Sequence, residues 1–264
     1  MKEKIDINCD MGESYYDKKI GNDSKIMPFI TSCNIACGFH GGDPNTIRKT
    51  IEQAIKYNVK IGAHPSYFDI EGFGRRKINL RLSELESIIL YQVSALKGIT
   101  KSYGKKLHHI KPHGALYNMA SIDLEIAEII VNTIKKIDTN LILYGPSMNK
   151  WKELSESNGI KYLSEVFSDR NYNDDLTLVD RNLNNAMITD PDISLNHINS
   201  MIDLGKVKTI SGKLEDIELD TICIHGDQPN ALLFARTIYN DLNSKGLIWL
   251  INQISSHQVI QYWL

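Results

Sequence analysis

Short apolar runs recur along the chain, rich in β-branched residues, closed by polar and glycine residues, and mostly separated by stretches of helical periodicity. Seven read as buried strands: IDINCD (5–10), TSCNIAC (31–37), VKIGAH (59–64), LHHIKPH (107–113), LILYG (141–145), YLSEVFS (162–168) and TICIHG (221–226). Helical patterns cover 44–58, 82–104, 122–137, 148–159, 193–205 and 229–246. The first starts behind Asp43 as N-cap with Pro44 at its first position, and the second ends at Gly104, a common C-terminal stop. Strands alternating with helices predict a parallel sheet with right-handed crossovers. Seven such units without a glycine-rich dinucleotide fingerprint predict an α/β fold, a seven-stranded parallel β/α barrel, closed or nearly closed. No Pro/Ser/Gly-rich linker divides the chain, so a single domain is expected over 1–246. The tail 247–264 is apolar, carries Trp249 and Trp263, and suits either covering the barrel bottom or association, including homo-oligomer formation.

Six of these strands run into polar motifs at their C-terminal tips: NCDMGE (8–13), ACGFHGGD (36–43), GAHPS (62–66), KPHGALYN (111–118), SDR (168–170) and IHGD (224–227). That rim is where barrel enzymes place their chemistry. Side chains two apart on a strand share a face. Asp6, Asn8 and Asp10 therefore align, as do Ser32, Asn34, Ala36, Gly38 and His40. The same holds for His109, Lys111 and His113, for Glu165, Phe167 and Asp169, and for Thr221, Cys223, His225 and Asp227. The opposite parity is largely apolar and can pack under the outer helices, which turns the polar parity toward the barrel axis. A lone histidine on a strand is usually a hydrogen-bonded core residue. Histidines recurring at the same height on the same face (His40, His64, His113, His225) point instead to one site.

Composition narrows the class. Charge is balanced, 30 Lys+Arg against 32 Asp+Glu in 264 residues, which gives no footprint for nucleic acid or an anionic membrane. The start MKEKIDINCD lacks the apolar core of a signal peptide, and no uncharged run reaches the ~20 residues of a membrane span. A soluble, cytoplasmic protein is the expectation. Cys9, Cys33, Cys37 and Cys223 match no zinc or CxxC spacing and read as small core hydrophobes.

Individual motifs divide between chemistry and structure. Asp10 and Glu13 can be paired carboxylates for acid/base work or metal ligation, or a capping-box-like D-x-x-E; the poor helical periodicity that follows favours chemistry. Asp43 before Pro44 is better explained as a helix cap, and Asp227 fits a cap and the site equally. Loop 65–81 is long, aromatic and glycine-containing, as lids often are, and offers Arg75 and Arg76 to a substrate anion. Lys111 can stabilise an oxyanion or sit in a buried ion pair, and Asp169 beside Arg170 can form such a pair. No GxxxxGK[ST] loop, GxSxG elbow or HExxH helix is present.

NCDMGES, IMPFITSCNIACGFHGGDP (26–44), IGAHPSY with EGFGRR, KPHGALYN, FSDRNY and TICIHGDQP together resemble the LamB/YcsF family, in consistent order over about residues 5–246. The resemblance implies a seven-stranded barrel of the glycoside hydrolase/deacetylase type. It also implies ATP-dependent opening of 5-oxo-L-proline to L-glutamate, with Mg-ATP as cosubstrate and 5-oxoprolinase subunits B and C as partners. On that chemistry Arg75 or Arg76 would hold the substrate carboxylate. Lys111 and His113 would stabilise the oxyanion, and Asp10 with His64 or His225 would activate water and protonate the leaving nitrogen. Glu13, His40, Asp169, Arg170 and Asp227 complete the expected substrate-binding rim. The chain departs from the family at Gly41, where alanine is usual, in NNAMITD (184–190), which lacks an expected glycine, and in the tail; the first two are expected to lie away from the inward residues. Two other readings stay open. One is a metal-dependent deacetylase with Asp10 and two of His40, His64, His113 and His225 as ligands, although no helix carries an HxxxH pair. The other is a non-catalytic subunit that presents substrate to its partners.

Overall fold

Residues 4–248 are described by the computed structural model, and in it all seven expected strands close into one parallel barrel. The first six are β1 (Asp6–Met11), β2 (Ser32–Ala36), β3 (Lys60–His64), β4 (His109–Ile110), β5 (Ile142–Pro146) and β6 (Tyr162–Phe167). A small antiparallel ribbon, β7 (Lys206–Lys208) with β8 (Leu214–Asp216), precedes the last barrel strand, β9 (Thr221–Ile224), which closes the ring between β6 and β1. The helices are α1 (Asp23–Ile26), α2 (Pro44–Lys56), α3 (Leu82–Ser102), α4 (Gly114–Ile122), α5 (Leu124–Ile137), α6 (Lys150–Ser157), α7 (Pro191–Leu204) and α8 (Ala231–Ser244). Among the described residues, no helix is long and apolar enough to cross a membrane.

Parity sets the two faces as expected. Ile7, Cys9 and Met11 of β1, Cys33 and Ile35 of β2, and Ile222 and Ile224 of β9 are buried in the apolar layer, where α2 adds Ile47, Ile51 and Ala54. Burying each large aliphatic side chain contributes about 1.5–3 kcal/mol, and a one-residue slip would turn the whole set inward. The axis is filled by a polar ladder. At its foot, the Asp6 carboxylate accepts from the hydroxyls of Thr31, Ser32 and Thr221 at 2.6, 2.7 and 2.7 Å. Above it, Asn8 donates to Glu165 (2.9 Å) and Thr221 (2.8 Å), and Asn34 donates to Asn8 (2.7 Å) and Asp10 (2.8 Å). His109 bonds Asn34 at 2.8 Å and stacks on Tyr144 at 4.0 Å. It has room because its β3 neighbour is Gly62, where a Cβ would lie only 2.1–2.3 Å from three atoms of the imidazole ring.

Several local expectations change. The predicted strand 107–113 keeps only His109–Ile110, because Pro112 has no ladder donor; Lys111 and His113 still donate to the carbonyls of Ala63 (2.9 Å) and Pro65 (2.8 Å). The alternation therefore carries through to His113. The predicted helix 122–137 is α5, which starts at Leu124 behind Asp123, whose side chain caps it. Neither α4 nor the β7–β8 ribbon was predicted. Of the tail, Ile248 pairs with Ile5 at the bottom of β1, and residues 249–264, including Trp249 and Trp263, lie outside the described residues.

Candidate active site

The upper end of the polar ladder carries Asp10 and Lys111 into a buried cluster. The Lys111 ammonium lies 3.0 Å from Asp10 Oδ1, 2.9 Å from Glu165 Oε1 and 2.8 Å from Cys223 Sγ. Burial disfavours the ammonium, but Asp10 and Glu165 outweigh it and hold the lysine well above its usual range. Lys111 is thus an ion-pair centre under the site. Burial likewise disfavours the charged form of Asp10, yet His64 and Lys111 prevail and keep its carboxyl well below the usual range. Glu13 goes the other way: burial, reinforced by Asp10, pushes its carboxyl up.

Around these carboxylates stand three histidines. His64 Nε2 lies 3.3 Å from Asp10 Oδ2 and 2.9 Å from His113 Nδ1, and the His40 and His113 rings stack at 3.7 Å. Glu13 Oε1 is 3.4 Å from His40 Nε2 and 3.7 Å from His113 Nδ1. Glu13, His40, His64 and His113 are all buried, and each offers a ligand atom within 4.8 Å of the others, a spacing that suits a metal ion. Burial pushes His40 and His113 below the ordinary histidine range, so both favour the neutral, ligand-competent form. Glu13 reaches this cluster because Gly12, at φ 67°, breaks the strand alternation and turns the chain back over the rim. No helix begins at Asp10, which removes the capping-box alternative.

At the tip of the neighbouring β9, His225 Nδ1 lies 2.9 Å from both carboxylate oxygens of Asp169, which Gln228 also engages. Arg181 stands 3.1 Å from His225 Nε2. Arg75 Nη2 meets Asp227 at 2.6 Å, and its guanidinium lies over the Phe73 ring. Loop 65–81 folds over the cluster as expected of a lid: the Phe73 carbonyl accepts from His113 Nε2 (2.8 Å), and its ring packs edge-on to His40 and His113. Gly74, at φ 65°, permits this approach, since a Cβ there would lie 2.7 Å from His113 Cδ2 and 2.8 Å from His40 Cβ.

Asp10, Glu13, His40, His64, Lys111 and His113 thus form one group, with His225, Asp169, Arg75 and Asp227 beside it, since β9 flanks β1 and His225 has a ligand atom within 4.8 Å of one on Asp10. Asp43 is a helix cap, accepting from the amides of Asn45 and Thr46, whereas Asp227 binds Arg75 and leaves the α8 cap to Asn230. Three expectations are corrected. Arg76 is turned outward and clamped by Asp69 and Glu71 on the lid. Arg170 donates to the Val179 carbonyl, so it braces the following loop, while Asp169 pairs with His225 and Gln228. The two departures from the family also border the site: a Cβ at Gly41 would lie 2.6 Å from the Glu13 carbonyl, and Met187 of NNAMITD bridges to Arg170. Sequence reasoning missed Arg181 and Gln228, which sit in stretches without periodicity; HGDQP was the one signal near Gln228. Cys223 turned out to face Lys111 on the polar axis, and burial pushes its thiol up.

The profile of the LamB/YcsF family matches residues 5–256. The A subunit of 5-oxoprolinase from Bordetella parapertussis is 45% identical over 247 residues, covering 94% of this chain and 98% of that protein. The protein of the same name from Bacillus cereus is 43% identical over 244 residues, covering 92% and 96%. The crystal structure of a lactam utilization protein from Thermus thermophilus superposes with a TM-score of 0.86 at 38% identity, covering 92% of this chain and 97% of that one.

Proposed function

The chain belongs to the LamB/YcsF family, and on that premise we propose that it works within an ATP-dependent 5-oxoprolinase. This hydrolase opens the lactam of 5-oxo-L-proline to L-glutamate, with subunits B and C as partners. The observation that carries the reading is a buried, ionised Asp10 held between Lys111 and His64 beneath an arginine-bearing mouth, in a chain 45% identical to the A subunit of a 5-oxoprolinase.

A five-membered lactam resists water because its amide is resonance-stabilised. Transfer of the ATP γ-phosphoryl group to the lactam oxygen, with ADP leaving, makes the ring carbon electrophilic. Water then adds, the C–N bond breaks with its electron pair and a proton going to nitrogen, and a second water releases phosphate to leave glutamate. The sequence carries no GxxxxGK[ST] motif, and we assign Mg-ATP to a site made with the partner subunits. Arg75 takes the substrate carboxylate, exchanging its bond to Asp227 for a bidentate one. Asp10 accepts the proton of the attacking water, and Lys111 keeps Asp10 ionised. His225, oriented by Asp169, returns a proton to the leaving nitrogen.

The test is glutamate and ADP formation from 5-oxoproline by the complex reconstituted with subunits B and C. Asp10→Asn is expected to abolish turnover while melting like the parent. Full turnover by Asp10→Asn overturns the base assignment, and full turnover by an Asp10/His113 double variant would make the chain a presenting subunit instead. A complete complex that releases no glutamate sinks the reaction itself.

A further inference from the structure

The hydrogen-bond bookkeeping of the three rim histidines is incomplete as protein alone. Each ring uses one nitrogen on a protein oxygen: His64 Nδ1 on the Lys111 carbonyl (2.6 Å), His113 Nε2 on the Phe73 carbonyl (2.8 Å) and His40 Nδ1 on Ser66 Oγ (2.9 Å). A carbonyl only accepts, so His64 and His113 carry their protons there. Ser66 Oγ gives its own proton to the Tyr67 carbonyl (2.8 Å), so it accepts from His40. A neutral imidazole has one N–H, which leaves the opposite nitrogens as lone pairs: Nε2 of His40, Nε2 of His64 and Nδ1 of His113. His40 Nε2 and His113 Nδ1 lie 3.4 and 3.7 Å from Glu13 Oε1, and His64, whose Nε2 is 3.3 Å from Asp10 Oδ2, has a ligand atom within 4.8 Å of the same group. His64 Nε2 and His113 Nδ1 therefore face each other at 2.9 Å as acceptor to acceptor. His40 Nε2 and Glu13 Oε1 are buried and make no hydrogen bond among the described residues. Four converging acceptors without a donor are costly in a dry site.

We infer that Glu13, His40, His64 and His113 bind one divalent transition-metal cation of the zinc class. Metal–ligand bonds of about 2.0–2.2 Å place the donors of a tetrahedral site about 3.3–3.6 Å apart. The observed 2.9, 3.4 and 3.7 Å separations bracket that value, and uptake would turn the His40 and His113 rings, which lie parallel within 3°, out of their stack so that both lone pairs point at one ion. Fixing the far nitrogen of each ring on an oxygen is what orients ligating histidines. One of those anchors is itself held: Gln92 of α3 bonds the Ser66 amide (3.0 Å) and carbonyl (2.9 Å). Three imidazoles and one carboxylate suit zinc and its first-row neighbours, whereas Mg²⁺ and Ca²⁺ favour oxygen sets, so this ion is distinct from any Mg²⁺ carried by ATP. A second cluster, Asp10, Cys223 and His225, is close enough to ligate but already faces cations: Lys111 at 3.0 Å from Asp10 and 2.8 Å from Cys223, and Arg181 at 3.1 Å from His225. One competing occupant is a proton on Glu13, whose Oε1 lies 3.4 Å from His40 Nε2 without a hydrogen bond to it; the other is a proton on His64, shared with His113 and Asp10. The latter would leave His40 and Glu13 unpartnered.

Metal uptake is read without turnover, so the inference stands or falls separately from the lactamase reaction. The full-length protein, stripped with chelator, is titrated with Co²⁺ and then Zn²⁺. The expected result is one equivalent of Co²⁺ with the ligand-field absorption of a low-coordinate nitrogen/oxygen site, displaced by Zn²⁺. Glu13→Gln and His113→Asn should lose uptake, and Ser66→Ala should weaken it roughly 10- to 100-fold, each with far-UV CD and melting checked. If a variant fails to fold, the parent spectrum decides. No uptake by the parent overturns the inference. So does uptake unchanged by Glu13→Gln, or a sulfur-to-cobalt charge-transfer band that Cys223→Ser removes. Nitrogen NMR showing both His64 ring nitrogens protonated in metal-treated protein would assign the gap to a proton and overturn it as well.

Discussion

Replacing Lys111 with methionine keeps the aliphatic stem and removes only the charge that Asp10 and Glu165 share. The ammonium lies 3.0 Å from Asp10 and 2.9 Å from Glu165, and all three side chains are buried. At an effective dielectric of about 20, each contact is worth about 5–6 kcal/mol before dehydration is counted. The net loss is smaller, because the lysine no longer has to be dehydrated, and breaking a buried pair by removing one partner costs about 3–5 kcal/mol. Against a total stability of about 5–15 kcal/mol, that is a large share, so Lys111→Met should fold but unfold at clearly lower urea with an unchanged m-value. Adding Glu165→Gln removes one stranded charge and should restore about 1–3 kcal/mol. Equilibrium urea denaturation of the parent, both single variants and the double variant measures the coupling. A Lys111→Met loss below about 1 kcal/mol, or no recovery in the double variant, would refute the view that this lysine neutralises the barrel centre.

Gly62→Ala pushes a methyl group into the His109 ring, which Tyr144 and Asn34 hold in place, so a loss of about 1–3 kcal/mol is expected, with partial rescue by His109→Ala; an unchanged melting temperature would contradict this. Asp43→Ala should cost about 1 kcal/mol at neutral pH through loss of the α2 cap. Burial alone would raise the Asp43 carboxyl, but the Thr46 hydroxyl and the amides of Tyr16, Thr46 and Asn45 pull it down to about 2. Its contribution is therefore fully present above the usual carboxylate range and lost as pH falls from about 4 toward 2, where parent and variant should converge in denaturation midpoint. In the reconstituted 5-oxoproline assay, Arg75→Ala should raise KM roughly 10- to 100-fold, whereas Arg76→Ala, which loses only its lid contacts to Asp69 and Glu71, should stay near the parent; the reverse order would exchange their roles.

How much of this was legible in the sequence follows from what a strand encodes locally. Alternation along one strand depends only on neighbouring residues, so the apolar face, the inward set from Asp6 to His225 and the barrel itself could be read. Register between strands depends on ring closure, which no single segment carries. Parity therefore put Lys111 on the correct face but did not show that it would meet Asp10, Glu165 and Cys223 from three other strands. The least legible contributions come from residues that leave the alternation. Glu13 enters the histidine cluster only because Gly12 adopts a positive φ, Arg181 approaches His225 from a loop with no period, and Phe73 reaches His113 across the lid turn at Gly74. These departures are also where the site becomes specific. A ladder of inward polar groups is a scaffold that many reactions could use, and the residues that break its pattern supply the fourth ligand, the second guanidinium and the cover. Gly12 is thus a sharper probe of the histidine cluster than any residue that obeys the strand rule: its φ of 67° and the contacts a Cβ would make with Thr50 (3.1 Å) and Ile35 (3.2 Å) mean that alanine there should displace Glu13 while leaving the ladder below intact.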